Sequence, residues 1–161
     1  MEIRYFKNYS HCLGHDMEMK VYGHRGKPVL FIPCQAGRFM DFEAFHMDDV
    51  FRPWIDAGKV MVFSIDTIDG ETWANKGGDN RWRIERHEAW FHYIVDELVP
   101  RIQHIAGERN WHQEYLSFSP LSFISLLFSA ICKASSDNHF TFLYLFFWGG
   151  MVLITAFCSM S

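Results

Sequence analysis

The sequence predicts an α/β fold with a mostly parallel sheet over residues 1–114, followed by an apolar C-terminal tail. Three observations lead there. Pro28 to Pro33 (PVLFIP) and Val60 to Ile65 (VMVFSI) are continuous apolar runs, the pattern of strands buried on both faces of a parallel sheet. Each run is followed by a segment of helical periodicity, which gives the order strand, helix, strand, helix. The composition then changes abruptly: charged side chains recur up to Glu114, after which only Lys133 and Asp137 remain.

Glu2 to Tyr9 alternates, with Ile3, Tyr5 and Lys7 on one face, and Met17 to Tyr22 alternates again. These predict two antiparallel edge strands with His11 to Asp16 as the turn between them. Gly23 to Lys27 is a second turn, and PVLFIP follows it as the first buried strand. From Asp41 to Ala57, Phe42, Phe45, Val50, Phe51 and Trp54 recur at helical spacing. Pro53 interrupts them, which predicts a bend or two short helices, and Gly58 is the expected stop. VMVFSI is the second buried strand. Asp66 to Asn80 reads as a polar loop with a turn at Gly77-Gly78. Ile84, His87, Phe91, Ile94, Val95, Leu98, Ile102 and Ile105 then form an apolar helical stripe. Asp79 or Asn80 is the expected cap, and Pro100 the expected kink.

A chain of 161 residues suffices for one domain with a real core. A formal net charge of −4 offers no electrostatic footprint for nucleic acid, and no such partner is expected. The four cysteines (Cys12, Cys34, Cys132 and Cys158) show no CxxC spacing. Met1 to Lys7 is charged and alternating, unlike a secretory signal, so free thiols in the cytoplasm are expected.

The tail supports three readings. Phe140 to Cys158 carries no charge, a length compatible with a membrane span, although basic flanks are nearly absent. Gly149 and Gly150 precede MVLITAF (Met151 to Phe157), which reads equally as a further strand of the sheet. Aggregation-prone sequence is the third reading. Self-association or membrane contact is therefore expected to run through residues 115–161.

Parallel sheets bind ligands at the carboxyl ends of their strands, which directs attention to Cys34–Phe39 and Asp66–Glu71. Asp66, Asp69 and Glu71 read as loop and capping residues more readily than as substrate contacts. In Asp79 to Arg86 (DNRWRIER), Trp82 and the arginines have the chemistry to bind a carboxylate, and a solvated helix face is the plainer reading. His87, Glu88 and His92 do not form H-E-x-x-H, because His92 lies at i+5, rotated about 140° from His87. His11, Cys12 and His15 read as a histidine-containing turn, and no metal is expected.

Three segments together resemble the esterase group of the α/β-hydrolase superfamily. They are KVYGHRGKPVLFIPCQAGRFMDFE (Lys20 to Glu43), VFSIDTIDGETW (Val62 to Trp73) and RWRIERHEAWFHYIVDELVPRI (Arg81 to Ile102). The resemblance covers Met1 to Glu114. It implies a doubly wound sheet, no cofactor, a small-molecule ester substrate and hydrolysis by a serine nucleophile. That group carries its serine on an elbow of the form G-x-S-x-G. LITAFCSMS, the last residues, looks like a degenerate copy with Ser159 as nucleophile, Phe157 and Ser161 standing at the two glycines. Without the resemblance, Ser159 is a serine after an apolar segment.

The oxyanion hole implied for this chain uses backbone N–H groups of Gln35 or Ala36 and of Met160. Triad order in this fold is Ser, acid, His, and neither partner follows Ser159. The expectation is thus a partial, truncated α/β-hydrolase fold: residues 1–114 as the N-terminal half, 115–150 as an atypical insertion, and 151–161 as nucleophile strand and elbow. Its function is that of a serine esterase, in an incomplete or inactive copy. The alternatives are a non-catalytic α/β remnant that associates through its tail, and a tail-anchored membrane protein.

Overall fold

The computed structural model describes residues 1–33 and 37–107, together with the backbone of two later strands, Thr141–Trp148 and Met151–Cys158. In chain order the elements are β1 (Ile3–Ser10), β2 (His15–Tyr22), β3 (Lys27–Ile32), α1 (Asp41–Ala44), α2 (Met47–Asp56), β4 (Val60–Ile65) and α3 (Asn80–His92). A π-helical turn (Tyr93–Leu98), α4 (Val99–Ala106), β5 (Thr141–Trp148) and β6 (Met151–Cys158) complete them.

The six strands form one sheet in the order β1-β2-β4-β3-β6-β5. β3 runs parallel to both β4 and β6, with Val29 opposite Val62 on one side and Val152 on the other. The β1–β2, β2–β4 and β5–β6 pairings are antiparallel. The sheet is therefore mixed, not mostly parallel. The strand pairs at its two ends, β1–β2 and β5–β6, are antiparallel, since neighbours close in sequence pair that way, and parallel geometry is confined to β4, β3 and β6. Likewise β1 alone is an edge strand of the first hairpin, because β2 also pairs with β4.

Burial follows from this placement. Every residue of β4 is buried, as is every residue of β3 after Lys27. Edge strand β1 alternates, and its Ile3, Tyr5, Lys7 and Tyr9 face is the exposed one.

The two faces carry separate cores. Val29, Phe31, Val60, Val62 and Tyr22 pack with Phe42, Met47, Val50, Phe51 and Ile55 from α1 and α2. The alternate residues Leu30, Ile32, Met61, Phe63 and Ile65 pack on the opposite face with Tyr93, Leu98 and Ile102. Helices thus cover both faces of the central strands, the doubly wound arrangement, and the period-2 alternation of β3 and β4 assigns each side chain to its layer.

The helices depart from expectation in two places. The break between α1 and α2 falls at His46, in the left-handed region at φ 55°, and Pro53 lies inside α2. Pro53 is on the exposed face, so the Asp49 carbonyl deprived of its partner opens to water. The apolar stripe of the long helix is buried only in its second half. Ile84 and Phe91 are 61% and 59% exposed, and α3 buries no residue fully. A π-helical turn changes the phase of the stripe just before Pro100, which has no N–H to give the Asp96 carbonyl. Asp79 caps α3 by accepting from the Trp82 N–H at 3.2 Å.

The uncharged stretch from Thr141 forms strands β5 and β6. No described helix is long and apolar enough to cross a membrane. Most of the 115–150 segment lies outside the described residues.

Candidate functional site

From β3 the chain crosses to β4 on one side, and later returns to β6 on the other side of β3. The direction of winding reverses at β3, and a doubly wound sheet opens a ligand crevice at the carboxyl ends of the strands flanking such a point. The loop after β3, the loop after β4 and the end of β6 therefore share one edge of the sheet.

The loop after β3 is fastened to the end of β4 at three successive residues. Thr67 Oγ1 donates to the Gly37 carbonyl at 3.0 Å. The fully buried Ser64 hydroxyl donates to the Phe39 carbonyl at 2.8 Å, and the Phe39 N–H donates to Asp66 Oδ1 at 2.9 Å. Between them, the Arg38 guanidinium grips both oxygens of Asp66, at 3.2 and 3.0 Å, and reaches Glu18 at 2.9 Å. Asp66 thus satisfies a backbone donor and a bidentate cation at once. Burial pushes the Asp41 carboxyl up, against a hydrogen bond from the Arg38 N–H and with the charge of nearby Asp66.

On the side of α1, Tyr22 donates to Glu43 at 3.1 Å and Lys20 reaches both Glu43 oxygens at 3.0 Å. Burial, and then the Glu43 carboxylate, hold the Tyr22 phenol far above the ordinary tyrosine range. These contacts tie residues 37–39 and Glu43 to β2 and to the end of β4. Ser64 is spent on a carbonyl.

Gln35, Ala36, Ser159 and Met160, the residues implied for the oxyanion hole and nucleophile, lie outside the described residues. The acidic loop residues are placed as supports. Asp66 holds the β3 loop, the Asp69 carbonyl accepts from Thr72 and Ala74, and Glu71 pairs with Arg86 at 2.6 Å and with His15 at 3.4 Å. Arg86 also donates to the Leu13 carbonyl, and Arg83 to the carbonyls of Thr72 and Trp73. The Cys12 N–H donates to Glu97 at 3.0 Å. Burial raises the Glu97 carboxyl, but hydrogen bonds from this N–H and its neighbours outweigh it and leave the group below its usual range. No three described His, Cys, Asp or Glu side chains are grouped to hold a metal.

Arg38, Ser64 and Thr67 carry the frame with Asp66. Arg38 and Thr67 fall in the two strand-end segments that the sequence points to, without any sign of their roles, and Ser64 lies inside a buried apolar run; the three gain meaning only once β3 and β4 are neighbours.

No family model matches the chain, and no curated protein matches it. Among solved structures, it is similar to the S-formylglutathione hydrolase FrmB of Staphylococcus aureus at 7% identity and a TM-score of 0.36, over 59% of this chain and 42% of that one. It is similar to FphF, a fluorophosphonate-binding serine hydrolase of the same organism, at 9% identity and a TM-score of 0.36, over 58% of this chain and 40% of the other. The chain spans about two fifths of the length of both.

Proposed function

We propose that the chain carries a serine-type site for carboxylic ester hydrolysis in an incomplete or inactive copy, with a degenerate nucleophile elbow. The observation that carries this reading is the sheet order. β6 lies parallel beside β3, so the carboxyl end of the strand that precedes Ser159 shares an edge with the carboxyl end of β3. The sequence resemblance over residues 1–114 supplies the chemistry. Ser159 is the proposed nucleophile, and the N–H groups of Gln35 or Ala36 and of Met160 are the proposed oxyanion donors. Phe157 and Ser161 stand at the two glycine positions of the elbow pattern, and a phenylalanine at the first would crowd such a turn, so turnover is expected to be poor.

A fluorophosphonate probe tests the proposal on the folded chain. Labelling at low stoichiometry in the wild type, loss in Ser159→Ala and increase in Phe157→Gly are expected. Absence of Ser159-dependent labelling in both wild type and Phe157→Gly would remove the catalytic reading.

One observation favours a second reading, a non-catalytic unit that associates through its tail. β5 ends the sheet, and its sequence TFLYLFFW contains no charge to discourage pairing with another strand. Light scattering tests it. A concentration-dependent oligomer that Leu145→Lys dissociates supports this reading, and a wild-type monomer rejects it.

A further inference from the structure

A cavity of about 530 Å³ opens where the loop after β4 meets the first turns of α3, lined by Thr72, Trp73, Asn80, Arg83, Ile84 and His87. Its size falls within the ordinary range of small-molecule sites, roughly 300 to 1,000 Å³. Two of its walls are apolar side chains left in water: Trp73 is 64% exposed and Ile84 61%. Exposure of that kind on neighbouring large side chains marks a recognition surface more often than isolated apolar residues do. The Trp73 ring meets His87 edge-on at 4.9 Å, so two adjoining rings line the cavity, and His87 is backed by Trp90 at 6.3 Å.

The polar part of the cavity has one sign. Arg83 is its cation, and among the described residues no carboxylate lines it. The neighbouring acids are engaged elsewhere: Glu71 with Arg86, Asp79 with the Trp82 N–H and Glu85 with Arg81. Arg83 is held in place by three hydrogen bonds, from Nε to the Thr72 carbonyl, from one terminal nitrogen to Asn80 and from the other to the Trp73 carbonyl. A guanidinium has five N–H donors, and each terminal nitrogen therefore keeps one uncommitted. A fixed, half-buried guanidinium with a donor to spare on both nitrogens suits a carboxylate.

We propose that this cavity binds planar aromatic carboxylates, the ring against Trp73 and Ile84 and the carboxylate on Arg83. The proposal concerns a separate binding site and does not rest on the esterase reading.

The test is titration of the ¹⁵N-labelled chain with 2-naphthoate and with its neutral counterpart 2-naphthamide, followed by amide chemical shifts. Saturable shifts centred on residues 72–87 are expected, with the carboxylate binding about tenfold more tightly, the factor one charge-assisted hydrogen bond supplies. Arg83→Gln should abolish that preference. Because Arg83 also holds the loop, Ile84→Ala serves as the second variant, and it should weaken both ligands alike. Equal binding of the acid and the amide by the wild type would overturn the proposal. So would absence of saturation by about 10 mM, or shifts centred away from this segment.

Discussion

Replacement of Asp66 dissects the brace between β3 and β4. Its carboxylate is 14% exposed and accepts from the Phe39 N–H at 2.9 Å and from Arg38 at two points. Asp66→Ala strands the part-buried Phe39 N–H, which costs about 1–2 kcal/mol. It also removes the ion pair with Arg38, which is 51% exposed and keeps Glu18, so that part is worth under about 1 kcal/mol. The sum is about 1–3 kcal/mol. Asp66→Asn keeps an oxygen for the Phe39 N–H and loses only the charge, so it should cost about 1 kcal/mol or less. Urea unfolding measures both, with an unchanged slope showing that the unfolding transition itself is the same. Asp66→Ala within about 0.5 kcal/mol of wild type, or equal to Asp66→Asn, would refute the assignment of the backbone bond as the larger part.

Three further outcomes follow from the same frame. Phe63 is fully buried between β4 and the α3–α4 layer, and Phe63→Ala should lose about 3–5 kcal/mol in the same urea assay. Gly26 sits at φ +114°, and a Cβ there would collide with the Lys59–Val60 peptide, so Gly26→Ala should lower the melting temperature or prevent folding. Tyr22 and Tyr93 are held above the ordinary range chiefly by burial. Their native pKa exceeds the unfolded value, so the stability they contribute is present below about pH 10 and is lost as pH rises further. Phenolate absorbance should show these two tyrosines ionising only with unfolding, and Tyr22→Phe should weaken the alkaline transition.

Much of the frame was legible in the sequence. PVLFIP and VMVFSI announced buried strands because a strand covered on both faces has no polar side to show, and Asp79 and Gly58 marked helix ends by their local chemistry. The mixed sheet was not legible, because the partner of β2 is β4, a pairing that no local pattern encodes. The stripe from Ile84 to Ile105 failed halfway for a related reason. Periodicity assumes an unbroken 3.6-residue helix, and the π turn at Tyr93–Leu98 rotates the later residues onto the core and leaves Ile84 and Phe91 in water. The strand-end segments that hold Arg38 and Asp66 were legible as a place to look, but the brace itself was not, because Arg38, Ser64 and Asp66 become partners only when β3 and β4 lie side by side.

The central claim is that β3 is flanked by β4 on one side and by β6 on the other, so that the winding of the sheet reverses at β3. Amide–amide nuclear Overhauser effects in the deuterated, ¹⁵N-labelled chain test it most directly. Contacts from Leu30 and Phe31 to Leu153 and Ile154, alongside those to Phe63 and Ser64, are the expected result. Contacts of residues 151–158 with another strand in place of β3, or with none, would contradict it.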